Sequence, residues 1–366
     1  MKSWIAPLLG TLLAAAGSAQ AQETREHSVT VTSTVPAIAG QKVKLYLRER
    51  ALPQVLRRGA GDKVVLFIHG AGTPAEVAFD VPYQDYSWMA YLAKAGYDVF
   101  SVDMTGYGRS HRPAPMAQAC KAAPAGNGFG TNCLTSYPGN LTTIESDWND
   151  ISAAVNFIKQ LRKVQKVNLI GWSQGGPRAG GWAANHPGEV GKLILLAPAY
   201  NRAAKDNAPA ALPVPGATYS TQDYDQFIAN WDRQVGCADQ FDKRTAASVW
   251  SEMLKSDPVG AARKPPVRRA SLASTGWGWT QARVKAMTTP TLMVAGTHDV
   301  QVTPARVKEF YADIGSPQKT YVELGCASHN AMWEKDRHIL FKASLEWLEK
   351  GTVEGQKNAM LRLGFQ

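Results

Sequence analysis

Six largely apolar runs recur along the chain: residues 63–68 (KVVLFI), 97–102, 167–170, 192–196, 291–295 and 320–324. A strand covered on both faces has no polar side, so runs without alternation predict the buried strands of a parallel sheet. Residues 28–35 and 42–48 alternate instead, which predicts two strands at an antiparallel edge. Between the runs, residues 87–95, 143–162, 177–185, 304–314 and 336–349 carry apolar positions three and four apart, the spacing of helices with one buried face. Strands alternating with helices and joined by right-handed crossovers give an α/β fold with an open, mostly parallel, doubly wound sheet. In such sheets the functional groups gather beyond the carboxyl ends of the strands.

Two segments interrupt the alternation. Residues 112–140 are rich in Pro, Gly and Ala and hold two cysteines. Residues 199–289 separate the fourth and fifth core strands by about 90 positions, where a connection usually takes about 2 to 6. Helix-like stretches at 222–235 and 246–255 predict a helical cap over the site. Trp231, Trp250, Trp277 and Trp279 lie in it, most of them expected in the cap's own core and one or more against an apolar substrate pocket. The expected layout is a leader (1–21), a core in two parts (22–198 and 290–351), the cap (199–289) and a tail (352–366).

Length and composition fit that layout: 366 residues, 45% apolar and 19% charged, suit one large globular domain with an insertion. Lys2, a mostly apolar stretch at 5–17 and the small-x-small site Ala19-Gln20-Ala21 predict a secretory signal peptide, hence export to a periplasm or the medium. That stretch is shorter than the about 20 apolar residues of a membrane span, and no later run is long enough, so no stable membrane insertion is expected. The formal charge of +10 is scattered, which describes a solvated surface rather than a nucleic-acid track. Neither a zinc-like Cys/His spacing nor a phosphate loop occurs, so no metal, cofactor or nucleic-acid partner is expected. Four cysteines in an oxidising compartment allow three pairings or four buried thiols. Cys120 and Cys133 flank one loop, and their pairing would staple a segment with little core of its own. Cys237 is then left for Cys326.

The chemistry centres on GWSQGG at 171–176, directly after the third buried run. A sharp strand-to-helix turn would strain the serine backbone and leave no room for neighbouring side chains, so Gly171 and Gly175 predict Ser173 standing exposed at the sheet edge. A serine hydroxyl needs a base, a group that orients the base, and donors for the oxyanion. His329 follows the last core run in GCASHN, and Asp299 follows the fifth run in GTHD, giving the chain order Ser, acid, His. Glu323, inside the last strand, is a rival acid expected as a sheet-edge partner. His298 adjoins Asp299, while His27 and His186 lack a strand-end position. Asp103 is expected to bond the backbone of the loop after it.

With His69-Gly70, Asp103-x-x-Gly106-x-Gly108-x-Ser110, Gly171-x-Ser173-x-Gly175, Gly296-x-x-Asp299 and the late His329 in order, the chain resembles the α/β-hydrolase fold superfamily from about residue 63 to 351, apart from the two insertions. The resemblance implies Ser173 as nucleophile, His329 as general base and then acid, Asp299 as the group fixing the imidazole tautomer, and the backbone N–H groups of Ala71 and Gln174 as oxyanion donors. The HGAG loop departs from the HGGG of many lipases and esterases. Trp172 before the nucleophile is read as core packing under the turn or as a wall of the acyl pocket. Hydrolysis of a small-molecule or lipid-like carboxylic ester is the first expectation. Amide cleavage, with cap carboxylates Asp223, Asp225, Asp232 or Asp239 holding a substrate amine, is the second; a ligand-binding or lyase use of the fold is the third.

Overall fold

The computed structural model describes residues 21–123, 130–205, 216–264, 266–270 and 278–365. Residues 1–20 of the expected leader, and Trp277, lie outside the described residues. The first strands in chain order are β1 (Glu23–Thr32), β2 (Lys42–Ala51), β3 (Val64–Ile68), β4 (Asp98–Val102), β5 (Lys121–Ala122), β6 (Thr131–Leu134) and β7 (Val167–Trp172). There follow β8 (Val190–Leu196), β9 (Ala217–Thr221), β10 (Val267–Ala270), β11 (Thr291–Gly296), β12 (Lys319–Leu324) and β13 (Met360–Leu363).

Nine of these form the main sheet, in the order β1-β2-β4-β3-β7-β8-β11-β12-β13. β1 and β2 run antiparallel to each other, and β2 antiparallel to β4, whereas the pairings from β4 to β13 are parallel. Every residue of β3, β4, β7 and β11 is buried, as expected where helices cover both faces. Local signals set the helix starts. Thr143 and Ser146 form a reciprocal capping box at the head of helix Ile144–Arg162, and Ser87 caps Trp88–Lys94.

The polar edge is anchored by buried charge. Arg162, at the end of its helix, bonds Glu49 on β2 and Asp98 on β4, and His27 Nε2 lies 2.7 Å from Glu49 Oε2. Burial, then Arg162, lowers the His27 pKa. His27 therefore belongs to the edge of the sheet, far in sequence and in contacts from Ser173.

Two elements differ from the sequence reading. Residues 360–363, placed in a tail, add β13 to the sheet: Gly325 N donates to Leu363 O at 2.7 Å, and a Cβ on Gly325 would stand 2.4 Å from Gly364 O. Four residues with Arg362 among them carry too short a pattern to read as a strand. The insertion is also not purely helical. Helices Tyr224–Asp232 and Lys243–Ser256 are joined by a four-stranded sheet, order β10-β9-β6-β5, in which β6 from the first insertion pairs with β9 from the second. The two interruptions of the core thus share one sheet, through strands of only two to five residues, the pair that joins them, β6 and β9, being distant in sequence.

Cys120 is joined to Cys133 and Cys237 to Cys326, with Cα separations of 4.8 and 5.7 Å. The first bond closes 13 residues of sequence, which in the chain-entropy account raises the cost of opening the loop by about 3 kcal/mol. With both Cys120 and Cys133 changed to serine, limited proteolysis should cut within residues 112–140 several-fold faster while the thermal midpoint of the main sheet moves little. Equal cleavage rates would mean that the β6 ladder alone holds the segment.

Candidate active site

Ser173 directly follows β7 with φ of 58°, the left-handed region, a conformation that costs a non-glycine residue about 1–3 kcal/mol unless its surroundings enforce it. Backbone bonds do so here. Ser173 N donates to Leu196 O at 2.9 Å, and Ser173 O accepts from Gly176 N at 2.9 Å and Ala199 N at 3.0 Å. The glycines make room for the turn. A Cβ on Gly171 would lie 2.4 Å from Gly175 O, one on Gly175 2.3 Å from Ile68 O, and one on Gly176 2.7 Å from Pro198. The serine side chain is left partly exposed, and its Oγ has no hydrogen-bond partner among the described residues.

Asp299 and His329 are brought together in the next layer. His329 Nδ1 donates to Asp299 Oδ2 at 2.8 Å, and the other oxygen, Oδ1, accepts from Gln301 N at 2.7 Å and Val302 N at 2.8 Å. Both side chains are buried. The two loops lie one on the other: His298 N donates to Ala327 O, and a Cβ on Gly296 would meet Ser328 O at 2.5 Å. Trp172 donates its indole N–H to His329 O at 2.8 Å, with the rings 5.5 Å apart. Trp172 is thus packed in the core under the turn, as expected, and its indole N–H in addition fastens the histidine turn to the serine turn.

On the other side of Ser173, a Cβ on Gly70 would stand 2.9 Å from Ser173 Cβ, so this loop abuts the serine turn. His69 is wholly buried. Its Nδ1 donates to Gly70 O at 2.7 Å and its Nε2 accepts from Met104 N at 3.1 Å. Burial, then the charge of Arg178, holds this imidazole well below its usual range, and both nitrogens are occupied in structure. Asp103 accepts from Ala75 N at 2.7 Å and Arg109 N at 3.0 Å, with burial pushing its carboxyl up to about 7. The Ala71 and Gln174 N–H groups meet no acceptor among the described residues.

Two buried groups escaped sequence reading. Arg178, fully enclosed, bonds Asp147 and the carbonyls of His69 and Gly70. Glu334, 1% exposed, accepts from Ser328 N (2.7 Å), Trp231 Nε1 (2.8 Å), Gln240 Nε2 (3.1 Å) and the Ser328 hydroxyl, and burial raises its pKa. It ties the residue before His329 to the insertion, alongside the bond of Gln234 to His329 N and the Cys237–Cys326 link. A lone cation in the small-residue helix Gly175–Asn185 was the readable signal for Arg178; Glu334, among Trp333 and Lys335, had none.

The remaining candidates fall elsewhere. Glu323 is engaged by Lys308 (2.6 Å) and Tyr321 (2.9 Å). The ring of His298 lies where a Gly236 Cβ would be, and His186 stacks on Trp182. Trp279 packs on Phe310 and against Gly180, and Trp231 on Phe241, while Trp250 is half-buried against Phe227. Asp223 caps its helix, and Asp225, Asp232 and Asp239 face solvent.

The model of the alpha/beta hydrolase fold matches residues 63–336, and the chain belongs to this family. Among solved structures it is similar to a thermophilic esterase from Thermogutta terrifontis, with TM-score 0.54 and 18% identity over 89% of this chain and 99% of that one. A serine hydrolase from Cycloclasticus zankles gives TM-score 0.52 and 13% identity over 89% and 98%. An esterase from Exiguobacterium antarcticum gives 0.52 and 16% over 88% and 100%. No curated protein matches the chain. Among the described residues no helix is long and apolar enough to cross a membrane.

The crowding at the turn sets an expectation. Gly175→Ala should lower stability by about 1–3 kcal/mol, as overpacking does, because the new methyl presses on the Ile68 carbonyl, which cannot rotate away. Urea unfolding measures it; an unchanged midpoint would contradict the close approach of the two turns.

Proposed function

We propose that the protein is an exported serine hydrolase that cleaves a carboxylic ester of a small-molecule or lipid-like substrate. The observation that carries this reading is the 2.8 Å bond between His329 Nδ1 and Asp299 Oδ2, beside a serine held at φ of 58°. With Nδ1–H donated to the carboxylate, Nε2 keeps its lone pair for the proton of Ser173. The two disulfides and the leader-like pattern of residues 1–21 support an oxidising compartment. Residues 199–289 act as a cap, tied to the histidine loop at several points.

In the proposed reaction Ser173 Oγ attacks the ester carbonyl carbon as its proton passes to His329 Nε2. The carbonyl oxygen gains the charge and takes hydrogen bonds from Ala71 N–H and Gln174 N–H. The tetrahedral adduct collapses with cleavage of the acyl C–O bond, and the leaving alkoxide takes the proton from His329. Water then gives a proton to His329 and attacks the acyl-enzyme, releasing the acid and restoring Ser173. The solvent-facing positions of Asp225, Asp232 and Asp239 favour the ester reading over one that needs an amine-binding carboxylate.

Ser173→Ala should lower hydrolysis of p-nitrophenyl esters by about 10⁴-fold or more with the fold retained, and a fluorophosphonate should label wild type at Ser173 alone. Retained turnover, or labelling at Ser110 or Ser328, would move the nucleophile. A panel of graded esters and aminoacyl anilides decides the bond cleaved, and faster turnover of the anilides would refute the ester assignment. Asp299→Asn should cost about 10³- to 10⁴-fold in kcat, because the amide favours the wrong tautomer; a near-normal rate would pass the orienting role to another carboxylate.

A further inference from the structure

The helix that begins beside Ser173 sends one charged side chain back beneath the neighbouring loop. Arg178 Nη1 donates to His69 O at 3.0 Å and to Gly70 O at 3.1 Å, while Nε donates to Asp147 Oδ2 at 2.6 Å. Its own backbone N–H reaches Gln174 O at 3.3 Å. Arg178 and Asp147 are 0% and 1% exposed, and an ion pair so fully removed from water contributes little net stability compared with an apolar pair of the same volume.

The geometry gives the pair another use. A trans peptide holds its C=O and N–H antiparallel in one plane. Gly70 O, which accepts from Arg178 Nη1 and also from His69 Nδ1 at 2.7 Å, is therefore held in direction, and with it Ala71 N–H, which points away from the guanidinium. That plane sits against the nucleophilic turn, since a Gly70 Cβ would stand 2.9 Å from Ser173 Cβ. A cation on the carbonyl also polarises the amide and makes its N–H a stronger donor. We propose that Arg178, held by Asp147, is the positioning residue of the oxyanion site: through the Gly70 carbonyl it aims Ala71 N–H at the substrate oxygen. The inference rests on the hydrolase reading above and adds to it the group that pre-orients one donor.

The test compares wild type, Arg178→Met/Asp147→Leu, which removes both charges together, and Arg178→Lys, which keeps a cation beside Asp147 but is a single-point donor. Each is measured for kcat and KM on a p-nitrophenyl ester, for affinity toward a trifluoromethyl ketone whose adduct oxygen occupies the oxyanion site, and for thermal midpoint. The double variant should lose about 10- to 100-fold in kcat, less than the loss of an oxyanion donor outright, with KM within about twofold. Ketone affinity should fall by the same factor as kcat/KM. Arg178→Lys should fall between the two, and it decides the matter if the double variant does not fold. Wild-type kcat and ketone affinity in a folded variant, or a rate loss with ketone affinity intact, would overturn the inference while leaving Ser173-dependent hydrolysis standing. Hydrolysis that survives Ser173→Ala would instead overturn the hydrolase reading, and this inference with it.

Discussion

The left-handed backbone of Ser173 is the constraint on which the arrangement turns. A serine in that conformation unfolds the end of β7 into a helix within one residue, and the turn exists only because three carbonyl groups and three glycines fit around it. Each neighbour of the turn is in place because of this closeness. Gly70 brings the first loop against it, Trp172 draws the histidine loop over it, and Pro198 closes it from the end of β8. Strain at one residue is thus shared among three strand ends, which is how a sheet edge holds this serine side chain steady without burying it.

Much of this was legible in the sequence where the signal is short-range. The buried strands declared themselves by unbroken apolar runs, and the glycines around Ser173 by their spacing, because both reflect contacts within a few residues. The pairing of Asp299 with His329 followed from the order of loops along a parallel sheet. Legibility failed where partners are far apart in sequence and each element is short. β6 and β9 satisfy each other's backbone across about 90 residues, and neither carries enough alternation to announce a strand. β13 is hidden for the same reason. Arg178 and Glu334 were missed because charged residues are usually solvated, and only the fold encloses them.

Those enclosed charges divide the labour around the turn. Asp147 and Arg178 sit under the His69–Gly70 side, while Glu334 sits under the Ser328–His329 side and gathers donors from the insertion. Buried polar groups with several partners each tolerate little displacement. Apolar packing alone leaves neighbouring loops free to slide by fractions of an ångström, whereas directional bonds to specific carbonyls and amides do not.

The bond between Cys237 and Cys326 bears on how the insertion moves. A segment attached only by its two chain ends turns about the line through them, as a door does on two hinges. Cys237 adds a covalent hold away from those ends, and the β6 ladder adds a further one. With such holds the door loses its axis, and the freedom left is bending within the insertion. Under the proposed function, access to Ser173 then depends on bending within the insertion and not on a swinging lid.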